Sequence, residues 1–342
     1  MPEFNFKTTP YDHQREAFDA SCDTENYALL MDMGTGKTKV CIDTIGYNYE
    51  RGKINLAVIV APKGVIANWI GEISTHLPDR IDREVVLWKP SLTKAKRKEL
   101  TDLSQPAGKL KFLLMNIEAF STKKGVDVAE FFVKKFKTCM VVDESTTIKN
   151  RRAKRTKAVC DVGRGAVTKR ILTGSPVTKS PMDLYSQMDF LSPEILGFRS
   201  YYAFQGRYAV VQRRSMGAHS FNQILGFRRL DELTEKLQNF SYRVRKEECL
   251  DLPEKVYVRR SVELTKEQSD AYTQMKHLAL ARLESGELAT TQNVLTQIMR
   301  LQQICLGHLT DDEGETHPVK SNRLGELLTI ADEIQGKAII WA

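Results

Sequence analysis

The stretch Ala28-Leu-Leu-Met31-Asp-Met-Gly34-Thr-Gly36-Lys37-Thr38 passes from a short apolar run, through a glycine turn, into a segment of helical character reaching about Arg51. A strand, a tight turn and a helix in that order aim backbone N–H groups at one point in front of a helix N-terminus, where an anion is stabilised. Phosphate binding further needs glycines that allow close approach, a lysine for the outer phosphates and a hydroxyl for Mg²⁺. Gly34, Thr35, Gly36, Lys37 and Thr38 supply that set, although Met31 stands where the general pattern has its leading glycine. Further short apolar runs follow at Leu56–Ala61, Val85–Trp88, Phe112–Met115, Met140–Val142 and Arg170–Leu172, each with a helical candidate nearby. Apolar strands alternating with helices predict an α/β fold. The parallel sheet should be covered by helices on both faces, with its chemistry in the loops after the strands.

The chain of 342 residues is long enough for two domains with ample cores. With 42% apolar and 27% charged residues it falls outside the disordered, collagen-like and coiled-coil classes. Its apolar runs are strand-sized, and Met1–Thr9 lacks a secretory pattern, so a soluble protein with no membrane association is expected. The cysteines are scattered and form no CxxC pair, which argues for a reducing compartment and against a disulfide framework or zinc site. The formal net charge is +8, yet residues 89–157 hold eighteen Lys or Arg against seven Asp or Glu. A local excess of that kind suits a polyanionic partner gripped through its phosphates.

A second chemical signal is Cys139-Met-Val-Val-Asp143-Glu144, an apolar strand that ends in two carboxylates. On a later strand of the sheet that bears the phosphate loop, Asp143 would hold Mg²⁺ and Glu144 would orient or deprotonate an attacking water. Upstream, Pro10-Tyr11-Asp-His-Gln14 offers an aromatic face and an amide to an adenine. Asn68-Trp69 reads as packing, because the indole falls on an apolar helix face. From Pro193 to about Leu250, aromatic residues from Phe198 to Phe227 are interleaved with Gly and Arg without strand periodicity, and a mostly helical insertion is expected. Val256, Val258, Val262 and Leu264 share one parity and predict a half-buried strand. Thr265-x-x-Gln268 reads as a capping box, two further helices follow, and Lys337–Ala342 reads as a buried strand.

With these motifs assembled, the chain resembles the Swi/Snf-like ATPases of helicase superfamily two. Asp143-Glu-Ser-Thr-Thr-Ile148-Lys149-Asn150 and Leu172-Thr173-Gly174-Ser175-Pro176 are similar to that family's Asp-Glu-x-x-x-x-Ile-Lys-Asn and Leu-Thr-Gly-Thr-Pro blocks. Pro10–Gln14, Met33–Thr38, Val60–Pro62 with Asn68-Trp69 and Glu72, Met115–Phe120 and Asp183–Pro193 match its further motifs in order. Leu252–Lys255, Leu264–Gln268, Met299–Cys305 and Lys337–Ala342 continue the series downstream. The resemblance implies a first recombinase-like lobe over residues 1–192, the insertion over 193–250, and a linker with the start of a second lobe over 251–342. It implies ATP and Mg²⁺ as ligands, with Gln14 reading adenine, Lys37 and Thr38 on phosphates and Mg²⁺, and Asp143 and Glu144 serving Mg²⁺ and water. Thr173 and Ser175 would couple the nucleotide to lobe movement. Lys63, Lys149, Arg151 and Arg152 are candidates for the backbone of double-stranded DNA, along which such enzymes translocate while displacing or remodelling bound protein.

Two departures qualify that picture. Thr146 stands where the family has the histidine of Asp-Glu-x-His, so that coupling role is removed or altered. The motifs that bring an arginine to the γ-phosphate have no counterpart in these residues, and such an arginine is worth about 10³–10⁵ in rate. Residues 1–342 alone are therefore expected to be nearly inactive. Two other readings stay open at this point: a strand-separating helicase or restriction-system motor, and a non-catalytic module that binds nucleic acid and ATP. The short insertions favour a minimal, monomeric motor of bacterial or phage type, cytoplasmic in such a host and nuclear in a eukaryote.

Overall fold

The computed structural model describes residues 3–341 except 92, 107, 217–218, 252, 285–290 and 312, and leaves the side chains of 216, 219–221, 278–284 and 291–294 undescribed. The chain forms two compact units, Met1–Leu252 and Pro253–Ala342. Leu252 and Ala342, which belong to two of the motif blocks above, lie outside the described residues.

The first unit is built on seven parallel strands: β1 (Asn26–Met31), β2 (Leu56–Ala61), β3 (Arg83–Leu87), β4 (Leu110–Asn116), β5 (Thr138–Asp143), β6 (Thr168–Leu172) and a late strand, Ser241–Val244. Between them run helices α1 (Asp12–Ser21), α2 (Lys37–Glu50), α3 (Asn68–His76), α4 (Lys94–Leu103), α5 (Lys123–Lys135), α6 (Lys154–Gly163) and α7 (Leu184–Leu191). Alternate residues of each strand point to opposite faces. Val58 and Val60 thus enter one core, with Phe132, Val159 and Phe190 of the helices from α5 onward. Ala57, Ile59 and Ala61 enter the other, with Phe18, Ile45 and Trp69 of α1–α3. The predicted α/β architecture, with helices on both faces, is what the chain adopts.

The segment 193–250 differs from expectation. It contains helices α8 (Tyr201–Tyr208), α9 (Leu230–Gln238) and α10 (Lys246–Cys249), but also an antiparallel hairpin of β7 (Ala209–Met216) and β8 (His219–Phe227). The strand Ser241–Val244, hereafter β9, then pairs with β1 at the edge of the main sheet. The expectation of a mostly helical insertion is therefore corrected. The hairpin escapes a period-2 reading because polar residues from Gln212 to Ser215 are exposed on both of its faces. Its aromatics divide: Phe204 and Tyr208 are buried, whereas Tyr202 is exposed.

In the second unit, helix α11 (Lys266–Glu284) opens on the predicted capping box. Gln268 N–H donates to Thr265 Oγ1 at 3.2 Å, and Thr265 N–H donates to Gln268 Oε1 at 3.2 Å. Helices α12 (Thr291–Leu306) and α13 (Arg323–Glu333) follow, separated by a small hairpin, β10 (His308–Thr310) and β11 (Thr316–Pro318). The two expected strands are corrected here. Val256 and Val258 lie in a segment without regular structure and are exposed, as are Ile339, Ile340 and Trp341. Apolar alternation gives a strand only where a neighbour supplies ladder partners, and neither segment has one among the described residues. No helix among the described residues is long and apolar enough to cross a membrane.

Arg170, in the centre of the first unit, is only 1% exposed and reaches no carboxylate. Its guanidinium donates to the carbonyls of Ser21 (2.7 Å), Thr24 (2.8 Å), Glu25 (2.8 Å) and Lys169 (2.9 Å). It thereby ties the end of α1 and the turn into β1 onto β6. Arg170→Met keeps the stem but removes all four of those donated bonds from the interior. A loss of about 3 kcal/mol is expected, read as a lower urea midpoint with an unchanged slope.

Candidate active site

The loop between β1 and α2 turns on Gly34 (φ 85°) and Gly36 (φ 88°), left-handed conformations that strain a side chain. At Gly36 a Cβ would also lie 2.2 Å from Gln14 Nε2. Gly36 caps α2 without a side-chain acceptor, so the helix's first N–H groups are left for a ligand. Thr35 is turned inward as a brace. Its Oγ1 donates to Asp32 O at 2.8 Å, and its own carbonyl accepts from Gln14 Nε2 at 3.1 Å. That carbonyl also lies 2.8 Å from a His13 ring nitrogen, Nε2, which must carry the proton since a carbonyl only accepts. Gln14 Oε1 in turn accepts from Tyr11 N–H at 3.2 Å. Gln14 is thus a strut beneath the loop, and buried His13 beside it is a site residue that the motif reading passed over.

Asp143 ends β5, buried, with both oxygens held by neutral donors. Trp69 Nε1–H donates to Oδ2 at 3.0 Å and Glu144 N–H to Oδ1 at 3.0 Å. Burial pushes the carboxyl above its ordinary range, while the Trp69 indole and the Lys37 ammonium pull it back. A buried carboxylate without a direct cationic partner, near Lys37 and the first turn of α2, suits a hard divalent ion. Among the described residues no group of three or more His, Cys, Asp or Glu is placed to hold a metal. Mg²⁺ fits such a site, since it takes one or two protein oxygens and completes its shell from phosphates and water. Thr38 and Asp143 would be those protein ligands. Trp69, read from sequence as packing alone, therefore has a second task, which only the fold reveals.

Glu144 occupies the left-handed region at φ 51°, ψ 63°, a strained conformation for a non-glycine residue. Its Oε1 accepts from Thr146 Oγ1 at 2.7 Å and from Thr173 Oγ1 at 3.0 Å. Thr173 N–H also donates to Leu29 O at 3.2 Å, and a Cβ on Gly174 would sit 3.3 Å from Asp32 Cα. The loop after β6 thus touches both the carboxylate pair and the phosphate loop. Ser175 is exposed and donates its N–H to Thr173 Oγ1 at 3.3 Å. Lys63 lies exposed in the turn after β2, apart from Lys149, Arg151 and Arg152, which line a recess together with α8 and the β7–β8 hairpin.

The family model described as SNF2-related domain matches residues 13–308. The chain belongs to the SNF2-related family. A probable ATP-dependent DNA helicase of Arabidopsis thaliana is 27% identical over 83% of this chain and 24% of its own length. An ATP-dependent helicase of Mycoplasma genitalium is 26% identical over 81% and 24%, and the TATA-binding protein-associated factor MOT1 of Saccharomyces cerevisiae 26% over 81% and 15%. The chain thus spans about a quarter or less of these relatives. The Sulfolobus solfataricus SWI2/SNF2 ATPase core, solved in complex with double-stranded DNA, superposes with a TM-score of 0.56 at 21% identity, covering 97% of this chain and 66% of that one. That likeness concerns the fold.

Two substitutions test the geometry of this SNF2-related site. Trp69→Phe keeps the aromatic packing but removes the donor to Asp143. It is expected to raise the Mg²⁺ concentration for half-maximal nucleotide binding about tenfold with little change in melting temperature. Gly36→Ala meets both the φ restriction and the Gln14 amide, and equilibrium titration with a fluorescent ATP analogue should show binding abolished.

Proposed function

We propose that this chain is the ATP-binding part of a double-stranded DNA translocase, in which Mg-ATP hydrolysis drives movement along the duplex and remodels or displaces bound protein. The observation that carries the reading is the meeting of three loops at one end of the sheet: Gly34–Thr38, Asp143–Glu144 and Thr173–Ser175. The loop amides and Lys37 hold the phosphates, and Thr38 and Asp143 hold Mg²⁺, which would stabilise charge on the transferring phosphoryl group. Glu144, oriented by two hydroxyls, positions or deprotonates the attacking water. Gln14 retains a second amide hydrogen for adenine while its first props the loop. Thr173, bonded to Glu144 and to β1, and Ser175 beside it report the state of the nucleotide.

The DNA assignment is supported by the recess of about 720 Å³ lined by Lys149, Arg151, Arg152, Tyr201 and Tyr202. Arg151 stacks 4.1 Å from the Tyr201 ring centroid and 5.2 Å from that of Tyr202, which orders its guanidinium. Ser186 Oγ donates to the carbonyls of Ile148 and Lys149 at 2.8 Å each, pinning this basic turn to α7. Cations on a rigid turn suit phosphate contacts, which position a protein on DNA without reading its sequence.

In the full-length protein, turnover should rise on adding duplex DNA, and Lys37→Ala should reduce it to background. Turnover indifferent to both DNA and Lys37→Ala would refute the proposal. Arg151→Ala with Arg152→Ala should weaken duplex binding and lower the slope of log affinity against log salt by about 1–2. The polypeptide of residues 1–342 should bind ATP yet turn it over near background.

A further inference from the structure

Lys246 belongs to none of the motifs above, yet the fold lays it over the phosphate loop. A Cβ built on Gly34 would lie 3.7 Å from Lys246 Nζ and 3.9 Å from its Cε. The backbone holds it in that position. Met31 pairs with Val244 in the β1–β9 register, Asp32 N–H donates to Val244 O at 3.2 Å, and Lys246 N–H donates to Asp32 Oδ2 at 3.0 Å. Helix α10 therefore begins beside Asp32, the residue that follows β1 and leads into the glycine loop.

The groups around this point carry both signs of charge. Lys37 and the open N-terminus of α2 are positive, and Lys246 adds an exposed ammonium with no ion-pair partner among the described residues. Asp32, Glu247 and Glu248 are the nearby acids. Asp32 Oδ2 accepts the Lys246 amide and Glu248 Oε2 accepts Arg245 N–H at 2.8 Å, so both are engaged by backbone rather than by the ammonium. Lys37 and Lys246 thus flank the cradle of N–H groups from two sides, an arrangement that suits an anion of more than one charge.

We propose that Lys246 is a second lysine of the triphosphate site, reaching the terminal phosphate from the β9 edge. The inference rests on the reading of Gly34–Thr38 as the ATP phosphate loop. It gives α10 a function: the main-chain bonds that seat it beside Asp32 hold the Lys246 ammonium ready over the loop, where a triphosphate would further order it. An exposed lysine held at a loop by main-chain bonds needs no such ligand for folding, so its loss separates binding from stability.

The test uses the 342-residue chain with Mg²⁺ and fluorescent analogues of ATP and ADP, comparing wild type, Lys246→Met, Lys246→Arg and Lys37→Ala. Lys246→Met is expected to weaken ATP binding about tenfold and ADP binding less than about twofold, with unchanged melting temperature, and Lys246→Arg to restore most of the loss. Amide hydrogen exchange over residues 245–251 should slow on adding a non-hydrolysable ATP analogue in wild type and not in Lys246→Met. Wild-type affinity for both nucleotides in Lys246→Met, or equal losses for ATP and ADP, would overturn the assignment. A folded wild type that binds neither nucleotide would instead refute the phosphate-loop reading, and this inference with it.

Discussion

The site depends on the position of β6 between β5 and β1. Leu172 is level with Asp143 on one side and with Leu29 on the other. The next two residues consequently emerge between the carboxylate pair and the phosphate loop. Thr173 bonds Glu144 and Leu29, and Gly174 packs against Asp32 so closely that a Cβ would press on backbone. A slip of one residue in that register would turn Leu172 out of its core and carry Thr173 away from both partners. The packing that fills the two cores therefore also sets the spacing of the groups at the candidate site.

Electrostatic preorganisation is the second consequence. Asp143 is buried against neutral donors, so its charge is costly to hold there, and Lys37 lies near enough to lower that cost. Glu144 is held by the hydroxyls of Thr146 and Thr173 rather than by an ion pair. Thr146 occupies the place of the family's histidine, and its hydroxyl bonds the Glu144 carboxylate. A threonine pair holding a carboxylate has no group that titrates in the neutral range.

Much of this was legible in the residues. The glycine–lysine loop, the carboxylates at a strand end and the apolar runs are local patterns that need only short-range geometry, and all six expected strands of the first 190 residues are present. The β7–β8 hairpin was not legible, because a ribbon solvated on both faces lacks the apolar alternation that marks a strand. Val256–Leu264 and residues 337–341 failed for another reason: an apolar pattern becomes a strand only beside ladder partners, and the described residues supply none. The buried arginine at 170 sits in an apolar run, and nothing local distinguishes a guanidinium that ends on four carbonyls from one that reaches solvent.

By itself, the sequence determined the class of fold, the phosphate loop and the carboxylate pair, because backbone propensity and side-chain chemistry within a few residues suffice for each. The tertiary structure alone decided that Trp69 holds Asp143, that His13 and Gln14 brace Thr35, and that Lys246 overlies Gly34. Those contacts join helices α1, α3 and α10 to loops at the ends of β1 and β5. Their meeting is set by strand order and register, which no local spacing encodes.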